Sequence, residues 1–396
     1  MFAKIIAFFM TILITLFAMI GGRRSSADVP PKAENPATDY TCVFVHGLSG
    51  WGSYDPVNAF APYWGMFGGD LMKYLNGQGF DCHAASVAPV DSAWDRACEL
   101  YAQLTGSVTD YGKEHSERCG HARFGRDFSR IPLITGWSAE NKINLFGHSF
   151  GGATVRLFAH LMANGSEAER SVTDEADLSP FFTGGKGDWI YSVTTLAAPH
   201  NGTSSLTIDA KLTTETAENP KQYVEGLMTQ MIPEATKDQI PDRIESDYAQ
   251  YDLSVDGALE LNRTITAVPG IYYFSFACYC CTQNEDGTYS PVEQDMEPLF
   301  HRSSDLMGAF VGESAGGVPL DEEWQLNDGL VNTISARYPF GEPHTAFDPD
   351  SVEPGVWNVF PDVYGDHMSL QGGLLKTNDV RAFYTEHLNR INGIAS

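Results

Sequence analysis

The chain has 396 residues, of which 43% are hydrophobic and 19% charged, and this composition is typical of a folded protein with a sizeable core. Its net charge of −26 at pH 7 argues against nucleic-acid binding, because phosphate backbones would repel it. A chain of this length has room for roughly two or three domains, but the order of its predicted elements favours one α/β domain with insertions.

The N-terminus has the pattern of a secretory signal peptide. A lysine precedes an apolar run over residues 5–20, and small residues lead to a cleavage site expected after Ala27. The alternative is an uncleaved anchor, because the apolar run is close to the minimum length of a membrane span. We predict a signal peptide over residues 1–27, a linker over 28–40 and a secreted domain over 41–396.

Short β-rich apolar runs then alternate with helix-like segments. Strands are predicted over residues 41–45, 82–87, 143–146, 191–197 and 271–276, and helices over 69–75, 151–163 and 380–391. This alternation favours a doubly wound, mostly parallel sheet with helices on both faces. Three long segments interrupt it, over residues 93–135, 204–251 and 282–323, and we interpret them as functional insertions or small modules.

The seven cysteines are an odd number, so at least one has no partner within the chain. A core of this size does not need disulfide bonds, and buried free thiols are expected. If a bridge forms, we expect it first between Cys42 and Cys82, because both lie at the start of predicted strands.

The strongest motif is G-H-S-F-G over residues 147–151, between a predicted strand and a predicted helix. A serine in this setting lies at a strained strand-to-helix turn, and the glycines beside it let the backbone pass closely. Ser149 is therefore the predicted nucleophile. The oxyanion of an acyl-transfer intermediate needs two N–H donors, and we predict the backbones of Phe150 and Leu48, the latter in the loop after the first strand. His46, in that loop, is interpreted as a scaffold residue.

The general base and the acid are expected to follow the nucleophile along the chain. Histidines before Ser149 and on two helices are set aside, which leaves His200, His301, His344 and His367. His367 lies in a late loop just before the final helix, and this position favours it as the base. Asp328, in an N-D-G turn between apolar residues, is the predicted acid, because Asp366 is too close to His367 to orient its ring easily.

Five further motifs support this interpretation. They are H-G-L-S-G-W-G at 46–52, W-D-R-A-C-E at 94–99, H-A-R-F-G at 121–125, Y-D-L-S-V at 251–255 and N-D-G at 327–329. Together they resemble the zinc-containing thermoalkalophilic bacterial lipases, the Bacillus-type true lipases. The resemblance implies an α/β-hydrolase fold acting on carboxylic esters, with Ser149, Asp328 and His367 as the triad and the amides of Leu48 and Phe150 as oxyanion donors.

The same resemblance implies a tetrahedral zinc site formed by Asp95, His115, His121 and Asp252. Two imidazoles and two carboxylates are ligands that Zn²⁺ accepts, and a site closed by four protein ligands is structural. Such a site would staple the insertion over residues 93–135 to the segment around Asp252.

Two departures from these relatives lead to further predictions. The relatives hold calcium through a glutamate and an aspartate, and Ser369 and Leu374 stand in those places here, so no calcium is predicted. The relatives also carry long lid helices. The corresponding region, about residues 203–250, is shorter in this chain, so we expect no interfacial activation.

The expected partner is a neutral ester, either a lipid or, given the short lid, a bulky ester such as a polyester. Neither nucleic acid nor a membrane span after signal cleavage is expected, and the oligomeric state stays open. One alternative is a zinc-dependent hydrolase in which the metal activates water, although no H-E-x-x-H motif occurs. Another is a non-catalytic binding protein on the same scaffold, against which the intact serine, histidine and aspartate argue.

Overall fold

A computed structural model describes residues 29–208 and 243–394 of the chain. The predicted signal peptide and most of the predicted lid region lie outside these residues. Within the described ranges, no helix combines the length and the apolar character needed to cross a membrane.

A parallel sheet forms the centre of the protein, and seven strands contribute to it within the described residues. In chain order they are β1 (Thr41–Val45), β2 (Cys82–Ala85), β3 (Ile143–His148), β4 (Ile190–Leu196), β5 (Tyr272–Phe276), β6 (His344–Ala346) and β7 (Trp357–Val359). Across the sheet the order is β6-β7-β5-β4-β3-β1-β2, and every neighbouring pair is parallel. The predicted mostly parallel sheet is thus confirmed.

Helices and short strand pairs surround this sheet. The helices are α1 (Leu71–Gly77), α2 (Ala93–Thr105), α3 (Lys113–Cys119), α4 (Phe150–Asn164), α5 (Glu167–Val172), α6 (Ala249–Leu253), α7 (Val255–Thr264), α8 (His301–Ala309), α9 (Thr333–Arg337) and α10 (Arg381–Asn392). One-turn 3-10 helices are Pro56–Ala59, Met66–Gly68, Gly187–Trp189, Glu245–Asp247, Pro298–Phe300 and Glu322–Trp324. The small strand pairs are Val108–Asp110 with Phe124–Asp127, Cys278–Tyr279 with Val363–Tyr364, Cys281–Gln283 with Tyr289–Pro291, and Gly312–Glu313 with Pro319–Leu320.

The two faces of the sheet are packed separately, as the alternation of β1 shows. Val43 and Val45 point to a core shared with α2 and α4, whereas Phe44 points to a core shared with α1 and α10. Phe44 stacks on Phe146 of β3 with ring centroids 4.4 Å apart. Burying such a side chain contributes about 1.5–3 kcal/mol, so both faces hold the strands in place. The sheet is consequently a rigid base for the loops at its edge.

Predicted elements agree with the observed ones to within a few residues, but the linker does not behave as expected. Residues 29–40 lie against the end of α10, where the Ala33 N–H donates to Asn389 Oδ1 at 2.9 Å and the Thr38 N–H donates to Asn392 O at 2.9 Å. The described part of the predicted linker is therefore docked on the domain.

All seven cysteines are buried and free. Cys42 and Cys82, the pair expected first to form a bridge, lie on the neighbouring strands β1 and β2 without one.

Candidate functional site

The turn after β3 has the strained geometry that the glycine-flanked serine predicts. Ser149 has φ 54° and ψ −126°, a backbone conformation that side chains rarely adopt. A Cβ on Gly147 would lie 2.4 Å from the Gly151 carbonyl oxygen, and one on Gly151 would lie 2.3 Å from the Val45 carbonyl oxygen. Only glycine fits at both positions, and the turn places the Ser149 hydroxyl at the carboxyl edge of the sheet.

Three residues that are far apart in sequence meet at this edge in one line of hydrogen bonds. Ser149 Oγ lies 2.8 Å from His367 Nε2, and His367 Nδ1 lies 2.9 Å from Asp328 Oδ2. The second oxygen of Asp328 accepts the N–H groups of Leu330 and Val331 at 3.0 and 2.7 Å. The carboxylate is thereby fixed in place, and its orientation selects the His367 tautomer whose Nε2 accepts the serine proton.

Two backbone N–H groups beside the serine are free to bind an anion. Phe150 is the first residue of α4, where the helix supplies no acceptor for its N–H. Leu48 lies in the loop after β1, and among the described residues its N–H donates to no acceptor. These amides are the predicted oxyanion donors, and the structure leaves both unsatisfied.

The other candidate histidines lie in different surroundings. His200 Nε2 is 3.0 Å from Thr195 Oγ1, His301 Nε2 is 3.1 Å from Met296 O, and the exposed His344 stacks on the Tyr338 ring. Within the described ranges, none of these three hydrogen-bonds to Ser149. Of the four candidates, His367 is the histidine that the fold brings to Ser149.

Neighbouring residues hold the loops of the site. His46 Nδ1 lies 2.8 Å from Gly47 O, as expected of a scaffold residue, and burial lowers the pKa of His46 to about 3. Asp366 does not contact the His367 ring; its carboxylate accepts the Glu297 N–H at 2.7 Å and the Ser369 hydroxyl at 2.9 Å. It fixes the backbone of the loop that carries the base.

A second polar cluster lies between α2, α3 and the segment before α6. Asp95 Oδ1 is 3.1 Å from His115 Nε2 and 3.8 Å from His121 Nε2. Asp247 approaches the same two nitrogens at 3.2 and 3.3 Å. One donor atom from each of His115, Cys119, His121 and Asp247 lies within 4.8 Å of the others.

The donor set of this cluster fits a divalent cation. His121 Nε2 is buried and has no hydrogen-bond partner among the described residues, although carboxylate oxygens of Asp95 and Asp247 lie 3.8 and 3.3 Å away. Burial opposes the charged form of His115, but hydrogen bonds to Asp247 and Asp95 raise its pKa to about 11. An orphaned imidazole nitrogen among carboxylates is the arrangement that a tetrahedral zinc ion would complete.

The structure does not bring Asp252, the predicted fourth zinc ligand, to this cluster. Asp252 lies on α6 with its carboxylate turned to the start of α2, where it accepts the Ala93 N–H at 2.7 Å. Asp247, five residues earlier on a one-turn helix, faces the two histidines instead. The sequence offers no signal that separates these two acids, because Asp252 lies within the Y-D-L-S-V motif and Asp247 only four residues before that motif.

Sequence reasoning also missed a buried arginine beside the cluster. The Arg243 guanidinium lies 2.7 Å from Asp247 Oδ2, 3.3 Å from Asp91 Oδ1 and in direct contact with Asp95. It orients both carboxylates that face the imidazoles. Metal sites are commonly held in this way by groups that hydrogen-bond to the ligands.

The residues on which the calcium prediction depended lie beside the loop of the base. The Leu374 N–H donates to Glu297 Oε1 at 2.8 Å, and Lys376 N–H donates to the same oxygen at 2.7 Å. Glu297 thus joins two loops through protein hydrogen bonds. The absence of calcium stays a prediction.

Comparison with known proteins gives this arrangement a family context. A family model described as the C-terminal domain of lipase-like proteins matches residues 38–217 and 221–391. A curated relative named Lipase 2, from Staphylococcus aureus, is 31% identical over 375 residues, which cover 87% of this chain and 52% of the relative. The chain therefore spans about half the length of the curated relatives it matches.

Solved structures show the same fold over nearly the whole chain. EstA from Clostridium botulinum matches with a TM-score of 0.77 and 29% identity, covering 97% of this chain and 98% of that one. Lipase 1 from Pelosinus fermentans matches with a TM-score of 0.72 and 32% identity, covering 89% and 98%. With the parallel sheet described above, these likenesses confirm the expected α/β-hydrolase fold.

Proposed function

The chain belongs to the lipase-like family, and on this basis we propose that it is a serine hydrolase of carboxylic esters, a lipase or esterase that works through an acyl-enzyme. The observation that carries the proposal is the buried line of hydrogen bonds from Ser149 through His367 to Asp328. A nucleophile, a base and an orienting acid in this geometry are the parts that acyl transfer requires.

In the first half of the reaction, the Ser149 oxygen attacks the ester carbonyl carbon while His367 Nε2 takes the hydroxyl proton. The carbonyl oxygen becomes an oxyanion and accepts hydrogen bonds from the N–H groups of Leu48 and Phe150. Asp328 stabilises the imidazolium that forms. The C–O bond to the alcohol then breaks, and His367 returns the proton to the leaving alkoxide.

In the second half, water attacks the acyl-serine ester. His367 takes a proton from the water, the same two amides bind the second oxyanion, and the acid product leaves as Ser149 regains its proton. Each proton taken by His367 is returned, so the cycle needs no further reactant. The rate enhancement depends on the fixed positions of the Leu48 and Phe150 N–H groups, because these donors do not have to reorganise during the reaction.

The substrate class in this proposal is a neutral ester, with lipids and polyesters as the two candidates. The protein is proposed to act outside the cell, in keeping with the signal-like sequence over residues 1–27. The strongly acidic chain would be repelled by anionic surfaces, which favours uncharged substrates.

Membership of the zinc-containing branch of the family is part of the same proposal. Asp95, His115, His121 and Asp247 would hold the ion, and it would supply a cross-link between α2, α3 and the segment before α6. Four protein ligands leave no position for water, so no step of ester hydrolysis passes through this site.

A panel of p-nitrophenyl esters of increasing acyl length, emulsified triglyceride and a polyester film tests the proposal, with Ser149→Ala as the blank. We expect hydrolysis of at least one substrate class by the purified protein and its loss in the variant, whose melting temperature should stay unchanged. Turnover that survives in Ser149→Ala but disappears on chelation would favour the zinc-dependent alternative. No turnover of any ester would favour a binding protein.

A further inference from the structure

A second line of hydrogen bonds runs behind the reacting groups and joins the loop after β1 to the loop of the base. The Gly47 N–H donates to Tyr63 Oη at 3.0 Å, and Tyr63 Oη lies 2.7 Å from His148 Nδ1. His148 Nε2 lies 2.8 Å from His367 O. Tyr63, His148 and His367 are all buried, so water does not compete for these bonds.

The chemistry of the groups fixes the direction of every bond in this line. The His367 carbonyl oxygen only accepts, so His148 Nε2 carries the hydrogen and donates it. A neutral imidazole has one N–H, which leaves Nδ1 as the acceptor of the Tyr63 hydroxyl. The Tyr63 oxygen is then the acceptor of the Gly47 N–H. Burial, followed by the nearby His367 and then His46, lowers the pKa of His148 to about 3 and favours the neutral ring.

We propose that Tyr63 and His148 are positioning residues. They keep the loop after β1, which carries Leu48, and the loop that carries His367 at fixed positions relative to Ser149. Gly47 directly precedes Leu48, whose N–H is an oxyanion donor, and His148 directly precedes the nucleophile. The inference rests on the proposed function, because the relative position of these two loops matters only if Leu48 N–H and His367 Nε2 act on one ester group.

The need for such a link follows from the origin of the three loops. The loops of Leu48, Ser149 and His367 follow β1, β3 and β7 respectively, and the Leu48 N–H, the Ser149 hydroxyl and the His367 imidazole must act on a single ester group at the same moment. A misplacement of about 1 Å of a reacting group can cost roughly 100-fold in rate. The Tyr63–His148 line ties all three loops together through two side chains.

Three variants test the proposal on the ester that the wild-type protein hydrolyses best. His148→Phe keeps most of the ring volume and removes both hydrogen bonds, His148→Gln keeps an amide N–H that can reach His367 O, and Tyr63→Phe removes the hydroxyl alone. We expect kcat to fall roughly 10- to 100-fold in His148→Phe and in Tyr63→Phe, with KM within about twofold of wild type. His148→Gln should recover most of the loss.

Coupling between the two residues sharpens this test. Because the line acts as a unit, the double variant Tyr63→Phe/His148→Phe should be no slower than the slower single variant. The positioning role would be overturned if the kcat losses of the two single variants multiplied in the double variant. It would also be overturned if His148→Gln were no faster than His148→Phe.

His387 offers a matched control in the same fold. It is buried on α10 with Nε2 2.9 Å from Thr194 Oγ1, on the opposite face of the sheet from α4. His387→Phe should lower the melting temperature and leave kcat per folded molecule unchanged. An equal loss of kcat in His387→Phe and His148→Phe would show that both residues act through the fold alone.

A measurement without substrate separates this inference from the proposed function. Nitrogen-15 NMR of the wild-type imidazoles at pH 7 should show His148 as the Nε2–H tautomer, with Nδ1 hydrogen-bonded, and Tyr63→Phe should shift the Nδ1 resonance. The opposite tautomer would overturn the inference even if Ser149 hydrolyses esters. The expected tautomer in a protein without serine-dependent turnover would overturn the proposed function and the positioning role with it, while leaving the hydrogen-bond line intact.

Discussion

The two buried polar clusters of this protein are satisfied in opposite ways. Around Ser149, the groups of the hydrogen-bonded line have protein partners, whereas the N–H groups of Leu48 and Phe150 have none among the described residues. In the second cluster, the carboxylates of Asp91, Asp95 and Asp247 face one guanidinium, that of Arg243. With the imidazoles neutral, as they are when they bind a metal, three carboxylates and one guanidinium leave a formal charge of −2, and without a metal a protonated His115 offsets part of it.

This difference indicates which of the two clusters depends on a bound ligand for its stability. A buried line of matched donors and acceptors is stable without a ligand, whereas the buried carboxylates of the second cluster need positive charge from a bound cation or from protonated imidazoles. The first cluster is therefore expected to control turnover, and the second to control stability. Changes to each should separate these two properties.

The largest effect is expected for His367→Ala. Removing the base leaves the serine proton without an acceptor, so kcat should fall by about 10⁵- to 10⁶-fold. Steady-state ester hydrolysis measures this loss. His301→Ala and His344→Ala are the controls, and either of them losing as much activity would give the role of base to that histidine.

A smaller loss, of up to about 10⁴-fold in kcat, is expected for Asp328→Asn. The amide can still lie beside His367 Nδ1, but it no longer selects the tautomer whose Nε2 accepts the serine proton. The rate should be compared with that of Asp366→Asn, whose carboxylate holds the loop but does not contact the ring. Equal losses in both variants would remove the distinction between an orienting acid and a loop acid.

Removal of the metal should show the opposite pattern. A ligand at roughly a thousand times its dissociation constant stabilises the native state by about 4 kcal/mol, so chelation should lower the melting temperature clearly. Activity well below that temperature should persist, because the site does not touch the ester. Elemental analysis should find one zinc per chain, absent in His121→Ala. Immediate loss of turnover in folded apoprotein would make the metal catalytic.

The smallest and sharpest comparison is between two acids of one segment. Asp247→Asn should abolish stoichiometric zinc binding, whereas Asp252→Asn should keep the metal and a nearly unchanged melting temperature, because its amide oxygen can still accept the Ala93 N–H. Metal content and thermal melts measure both. Zinc lost from Asp252→Asn but kept in Asp247→Asn would restore the acid that the sequence resemblance implied.

Local patterns were sufficient for five of the seven strands that the described residues contribute to the central sheet, and for the choice of Ser149 as the predicted nucleophile. The period of apolar residues predicted the strands at 41–45 and 143–146 because one face or both faces of a strand must be buried. Ser149 could be identified because its strained turn is set by the adjacent glycines, which are its neighbours in the chain. The expected chain order of serine, acid and histidine then limited the candidates for the acid and the base to a few residues late in the chain.

What the sequence by itself determined is thus five strands of the sheet, the strained turn at Ser149 and the residue types around that turn, because these depend on interactions within a few residues. The tertiary structure alone decided that Asp247 rather than Asp252 faces His115 and His121, since a one-turn helix and α6 turn the two acids in different directions. It also decided the docking of residues 29–40 on α10 and the line from Tyr63 to His148. These contacts join segments that are far apart in the chain, and local sequence patterns do not predict which distant segments come together.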